Sequence, residues 1–394
     1  MAKLTIAQLD LAGRRVFVRA DLNVPLDHGA VTDDTRLRAV VPTLQHALKA
    51  GASVVLASHL GRPKGKLAPE FSLRPVAERL EGLLGQRVEL APDCVGPETS
   101  AKAQALAPGQ VLLLENLRFH KEEEANDDGF ARALAELAQC YVDDAFAAAH
   151  RAHASIAAIT KHLQPAAAGL LMQQELTALG RILESPERPL VAILGGAKVS
   201  DKITLLEHLL DKVEALLIGG GMAFTFLQAL GHAVGRSLVE REQVETARRT
   251  LDAARRRGVA LVLPLDAVVA EGLDSPRGRT VGIREIPADQ MGLDIGPRTV
   301  ERFTAALSGA HTIVWNGPMG VFERPAFAAG TLALARVVAG ASAFTVIGGG
   351  DTVAAVTQAG VTDKIGYIST AGGAFLEFLE GRRLPGVEAL TDAT

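Results

Sequence analysis

The chain has 394 residues, is nearly half apolar and 22% charged, and carries a net charge of −4. That length exceeds what a single hydrophobic core organises comfortably, so two domains are expected. The slight acidity argues against a general nucleic-acid binder, and basic clusters in this background point to a small anion rather than a polymer.

Taken along the chain, one pattern recurs. A short apolar or β-branched run ends in glycine and polar residues, and an amphipathic helical stretch follows. The runs are RVFVRADLN, ASVVLASHLG, QVLLLENLR, PLVAILGGAK, ALLIGGGMA, HTIVWNGPMG and AFTVIGGGD. Each is apolar on both faces, as parallel strands covered by helices are. Strand, turn and helix repeated through the whole length imply an α/β fold. We expect two doubly wound parallel-sheet (Rossmann-like) domains joined by an interdomain helix, with a cleft between them.

The boundary is expected near residues 164–186. Gln164-Pro165 breaks the chain, GLLMQQELTALGRILE reads as one amphipathic helix, and SPERP precedes the strand at Leu190. This gives an N-terminal domain over 1–168, a linking helix over 169–185 and a C-terminal domain over 186–373. The stretch 374–394 fits no strand–helix unit and is expected to pack back on the first domain.

In such sheets ligands bind at the carboxyl ends of the strands. The first half places Asp21, Asn23, Arg36, His59, Arg62, Arg118 and Arg151 there. Each arginine alone is more simply a solvated surface residue. Together they suit one small, highly charged ligand, because the planar guanidinium pairs bidentately with phosphate or carboxylate oxygens. His150 and His153 read equally as structural residues, and KEEEAND (121–127) as a solvated loop or helix start.

The second half offers mostly glycine, with Lys198, Lys202, Asn316, Glu323 and Asp351. In LGGAKVSDKI a helix is expected near Ser200 as N-cap, with Lys202 in its first turn. A cation there opposes the helix dipole, so Lys202 either meets a bound phosphate or points into solvent. In IGGGDTVAAV the glycines allow backbone amides close to phosphate oxygens. Asp351 is then either an ordinary N-cap or a ligand for Mg²⁺ held between it and the phosphates. No GxxxxGK[ST], HRD…N, DFG or GxGxxG fingerprint occurs.

Cys94 and Cys140 lie far apart without CxxC spacing, so neither a disulfide framework nor a zinc site is expected. The opening MAKLTIAQLD lacks a signal-peptide core, and no run approaches the roughly 18 apolar residues of a spanning helix. A cytoplasmic setting is the expectation.

In family order, VRADLNVP, DDTRLR, SHLGRPKG, LLENLRFHKEEEAND, HRAHAS, LGGAKVSDKI, MGLDIGP, TIVWNGPMGVFE and IGGGDT together resemble the phosphoglycerate kinase family over almost the whole chain. The resemblance implies reversible phosphoryl transfer from 1,3-bisphosphoglycerate to MgADP in glycolysis, by a monomer that closes on its ligands. It implies that the glycerate ligand meets Asp21, Asn23, Arg36, His59, Gly61, Arg62, Arg118 and Arg151. The nucleotide falls to Lys202, Gly292, Asn316, Glu323, Gly349, Gly350, Asp351 and Thr352, with Asp351 on the metal. Arg36 and Lys198 flank the transferring group. The chain departs from the family pattern at Ala20, Leu22, Asp143, Ala147, Ala148, Tyr367, Ala371 and Phe375. Ala20 and Leu22 are expected in the core. Asp143 adds charge near the anion socket, and Ala371 loses a glycine's access to positive φ. A catalytically silent ligand-binding protein on the same fold, or a nicotinamide-dependent dehydrogenase, would be the competing readings.

Overall fold

The computed structural model describes residues 2–393. The chain divides into two compact units: one runs to Thr177 and is completed from Arg383 onward, and the other spans Ala178–Arg382.

The first unit is built on six parallel strands: β1 (Arg15–Ala20), β2 (Ser53–Ala57), β3 (Val88–Leu90), β4 (Val111–Leu113), β5 (Cys140–Asp144) and β6 (Ala166–Ala168). Their order across the sheet is β3-β4-β2-β1-β5-β6. The central strands are buried along their length, which is why they read as unbroken apolar runs. Ala20 and Leu22 are fully buried, as expected. In register, Arg19 lies opposite Ala57 on one side and Asp143 on the other, so the strand ends deliver Asp21, His59 and Asp144 to one edge. Asp144 also sets the start of the helix Leu170–Leu183. Its Oδ1 accepts the Leu171 and Met172 amides at 2.9 and 3.1 Å, as a carboxylate at a helix N-terminus should.

The second unit carries β7 (Leu190–Leu194), β8 (Ala215–Ile218), β9 (Ala260–Val262), β10 (Asp266–Ala270), β11 (Arg279–Gly282), β12 (Met291–Ile295), β13 (Thr312–Asn316), β14 (Phe344–Gly348) and β15 (Tyr367–Ile368). Six form a parallel sheet in the order β9-β8-β7-β13-β14-β15. Trp315 on β13 is fully buried, and its indole N–H donates to the Gly317 carbonyl at 2.8 Å, fixing the following turn. The other three strands make an antiparallel sheet, β11-β10-β12, that the sequence reading did not foresee. They are four or five residues long and each carries a charged residue, so no long apolar run announces them.

The end of the chain divides differently from the expected start at 374. The helix Gly373–Leu379 packs on Ile203–Leu209, and Gly381 approaches the His208 ring, all within the second unit. From Arg383 the chain rejoins the first unit, where Thr391 N–H donates to Ala166 O and Gly386 N–H to Ala149 O. Among the described residues no helix is long and apolar enough to cross a membrane.

Candidate functional site

In the first unit, the floor of a cationic cluster is Arg19, whose side chain is wholly buried. Its Nε donates to Ser155 Oγ at 2.9 Å, and Nη2 faces His59 Nδ1 at 3.2 Å. A guanidinium can only donate, so Nδ1 of His59 accepts and Nε2 carries the ring proton. Burial, then the charges of Arg19, Arg118 and Arg151, hold the His59 pKa well below its ordinary value. His59 is therefore a neutral donor, able to bond an anion oxygen without a cation of its own.

Above this floor the expected residues join in a chain of contacts. Arg36 Nη1 meets Asp21 Oδ2 at 2.6 Å, and Asp21 Oδ1 accepts the Asn23 amide at 3.2 Å. Asn23 Oδ1 accepts the Gly61 amide at 2.8 Å, and the Gly61 carbonyl accepts from Arg118 Nη1 at 2.9 Å. Gly61 has φ of +61°, and a Cβ there would lie 2.4 Å from the Phe71 ring, so only glycine makes this link. Arg118 is 4% exposed; its Nε sits 3.2 Å from Glu124, but its Nη2 is buried without a hydrogen-bond partner. A buried guanidinium donor left open costs stability unless a ligand supplies the acceptor. Arg151 donates from Nε to His150 at 3.1 Å and is close enough to influence His59 and Arg118. Arg62 is exposed and, among the described residues, takes no part in this chain of contacts.

Two supports escaped the sequence reading. Glu123 is not solvated: it is fully buried and accepts from Ser155 N–H at 2.9 Å and Ser155 Oγ at 2.6 Å. Arg19, Ser155 and Glu123 thus form one relay beneath the cluster. His153 lies 3.8 Å from Glu123, yet burial, then Arg19, Arg118 and Arg151, lower its pKa to about 3, so it is neutral there.

In the second unit, a cavity of about 400 Å³ is lined by glycine turns, Phe224, Leu238, Gly292, Met319, Glu323 and Asp351. The turns interlock backbone to backbone. A Cβ on Gly317 (φ +93°) would lie 2.3 Å from the Gly195 carbonyl, so no side chain fits between them. Lys202 is not in solvent. It is nearly buried and donates from Nζ to Asn316 Oδ1, while Asn316 Nδ2 donates to Gly348 O at 2.7 Å. The Gly317 amide donates to Thr352 Oγ1 at 2.7 Å, tying the two turns that carry Asn316 and Gly349–Thr352. Lys198, Gly350 and Asp351 are exposed beside these groups.

Neither Ser200 nor Asp351 serves as an N-cap. Ser200 begins a 3₁₀ turn, and its hydroxyl and amide bond Glu240, which also holds the Val199 amide. The cap before Asp351 is Gly349 (φ +93°), which leaves the Asp351 carboxylate free of capping. Asp294, unremarked in the sequence, supports the cavity wall by accepting the Ile295 and Gly330 amides at 2.9 and 2.6 Å. Burial raises its pKa to about 7 against these bonds.

Of the departures from the family pattern, Ala371 and Phe375 are absorbed and Asp143 is not. Ala371 does not have positive φ, so losing glycine costs nothing there. Phe375 packs its ring where a Cβ on Gly348 would sit, closing that turn. Asp143 is fully buried: Oδ1 accepts the Ala145 amide at 2.9 Å, and Oδ2 has no partner. Burial raises its pKa to about 7, opposed by the Ala145 bond and Arg19 and assisted by Asp144. A carboxyl whose folded pKa is raised loses stability as pH climbs from its unfolded value to about 7. Asp143→Asn should therefore stabilise the protein more at pH 8 than at pH 5, by about 2–3 kcal/mol. Calorimetric melting at both pH values checks this; an equal gain at each would show that Asp143 does not titrate there.

The chain matches the family model for phosphoglycerate kinase over residues 6–382. It is similar to the phosphoglycerate kinases of Moorella thermoacetica (58% identical) and Acidobacterium capsulatum (56%), covering 100% of both chains in each case. The solved phosphoglycerate kinase of Coxiella burnetii superimposes with a TM-score of 0.92 at 45% identity, covering 98% of each chain. That of Pyrococcus horikoshii gives 0.84 at 33% identity, again over 98% of each. With its motifs in family order and these full-length relatives, the chain belongs to the phosphoglycerate kinase family.

Proposed function

We propose that this chain transfers the acyl phosphate of 1,3-bisphosphoglycerate to ADP, reversibly, giving 3-phosphoglycerate and ATP, as a cytoplasmic monomer. The observation that carries the reading is the open buried Nη2 of Arg118 beside neutral His59, a donor set that lacks only an anion. The glycerate ligand falls to Asp21, Asn23, Arg36, His59, Arg62, Arg118 and Arg151. The nucleotide takes the second-unit cavity, with Glu323 at the ribose and its phosphates toward Lys202, Gly349, Gly350 and Thr352.

Asp351 suits Mg²⁺. It is an exposed, uncapped carboxylate on the cavity rim, close enough to Lys202 to influence it electrostatically. One carboxylate plus phosphate oxygens and water is an ordinary Mg²⁺ set. Bound there, the ion would offset phosphate charge.

A carboxylate or phosphate attacks already ionised, so the residues need supply no general base. Their work is positioning and charge stabilisation. Arg118, Arg151 and His59 orient the glycerate ligand, Arg36 is held at the site by Asp21, and Lys198 reaches the transferring group. Transfer needs the two ligands to meet with water excluded, so domain closure is part of the proposal.

The test is ATP formation from 1,3-bisphosphoglycerate and MgADP in a coupled assay. Turnover is expected; its absence at high enzyme concentration would leave a binding protein only.

Lys202 gives a pH signature. Burial lowers its pKa to about 8, against the raising influence of Asp201, Asp351 and Glu380. Below that value the ammonium meets the phosphates; above it, binding must first take up a proton. Affinity for ADP should fall as pH rises through about 8, by up to about tenfold per pH unit. Lys202→Met should weaken binding at pH 7 and flatten the profile. Calorimetric titration from pH 7 to 9 measures both, and a flat wild-type profile would remove Lys202 from the phosphates.

A further inference from the structure

One cluster of metal-ligating side chains lies outside both sites. Asp93 and Cys94 follow β3, and His120 follows the turn Leu117–Phe119 beyond β4, the neighbouring strand. His120 Nε2 lies 2.6 Å from Asp93 Oδ1, and Cys94 Sγ donates to the Glu115 carbonyl at 2.9 Å. One ligand atom from each of the three residues falls within 4.8 Å of the others. Ligands around tetrahedral Zn²⁺ stand roughly 3.5 Å apart, so small side-chain shifts complete the geometry. The cluster was invisible to spacing rules because it has no CxxC; His120 comes 26 positions after Cys94 and the sheet brings them together.

Two features favour an ion here. The His120 ring is stacked on Phe130, centroids 5.0 Å apart, which limits its rotation. Asp93 and His120 are partly exposed, giving an entry path to the buried thiol.

We propose that Asp93, Cys94 and His120 form a binding site for a borderline-soft divalent cation, Zn²⁺ above all, with water as the fourth ligand. The donor set of sulfur, imidazole nitrogen and carboxylate oxygen selects Zn²⁺ over Mg²⁺, which takes oxygen ligands alone. Binding replaces the thiol proton: the S–H bond breaks, an S–Zn bond forms from the same electron pair, and one proton leaves to solvent. The segment that this ion would pin, 115–120, also carries Arg118.

The experiment uses the intact, nucleotide-free protein with Zn²⁺, and with Co²⁺ as a spectroscopic probe. Calorimetry in buffers of different ionisation enthalpy should show one Zn²⁺ bound with proton release, undiminished by a large excess of Mg²⁺. Co²⁺ should give a thiolate charge-transfer band in the near ultraviolet. Cys94→Ser should abolish the band and the proton release and weaken Zn²⁺ by more than about tenfold. His120→Gln and Asp93→Asn leave the thiol in place and should weaken Zn²⁺ while keeping the band at higher Co²⁺. Unchanged thermal melting shows that each variant is folded. Absence of stoichiometric Zn²⁺ binding, or equal affinity in all three folded variants, would overturn the site.

Discussion

Lys198→Ala is expected to lower kcat by about 10²–10³-fold while changing the Kd for ADP by no more than about threefold. The magnitude is that of removing one preorganised group from a developing charge in a water-excluded site. The structure separates Lys198 from Lys202 in a way that makes the split testable. Lys202 is nearly buried and bonded to Asn316, so it belongs to the resting architecture of the cavity. Lys198 stands exposed on the turn after β7, with its flanking Val199 and Ser200 amides clamped by Glu240. Its loss removes no packing, so stability should stay within about 0.5 kcal/mol. Steady-state kinetics with calorimetric ADP binding decide the matter. Equal losses in kcat and in ADP affinity would mean that Lys198 holds the ground-state nucleotide instead.

The sites were partly legible because their residues sit where parallel strands end, and those strands are long apolar runs. HTIVWNG and IGGGDT could be placed as turns without any partner being known. What remained hidden depends on partners distant in sequence. That Lys202 does not face solvent depends on Asn316, 114 residues away, whose Oδ1 accepts a hydrogen bond from its ammonium. Arg19 stood in plain view in RVFVRADLN, and a lone charge inside a buried strand is itself a signal, since it demands a buried partner. That partner, Ser155 leading to Glu123, joins HRAHAS to KEEEAND, and KEEEAND read as a solvated loop or helix start. The antiparallel sheet of the second unit was lost for a simpler reason. Strands of four or five residues, two of them carrying a glycine, do not sustain an alternation long enough to be read.

The relay beneath the anion cluster carries the second large expectation. Glu123→Ala should destabilise the protein by about 3 kcal/mol or more and weaken 3-phosphoglycerate binding with it. Glu123 is fully buried, and both of its carboxylate oxygens are engaged by Ser155. Removing it leaves the buried Ser155 amide without its acceptor, frees the Ser155 hydroxyl that holds Arg19 Nε, and takes away the negative charge nearest that buried guanidinium. Breaking a buried charge network on one side costs about 3–5 kcal/mol, because the charge left behind has no counter-charge and no water. Arg19 also fixes the tautomer of His59, so a looser Arg19 frees His59 Nδ1 to take the proton and turns a defined donor into a mixture. Glu123→Gln keeps an acceptor for Ser155 and should fall between wild type and alanine. Glu122→Ala, on the next residue and only partly buried, should stay within about 0.5 kcal/mol. Calorimetric melting and 3-phosphoglycerate titration of the three variants provide the comparison. If Glu123→Ala melts like Glu122→Ala, Arg19 is satisfied by Ser155 Oγ, Ala20 O and His59 without Glu123 behind them. If it is destabilised but binds the ligand as wild type does, the relay serves folding only and His59 is oriented by other groups.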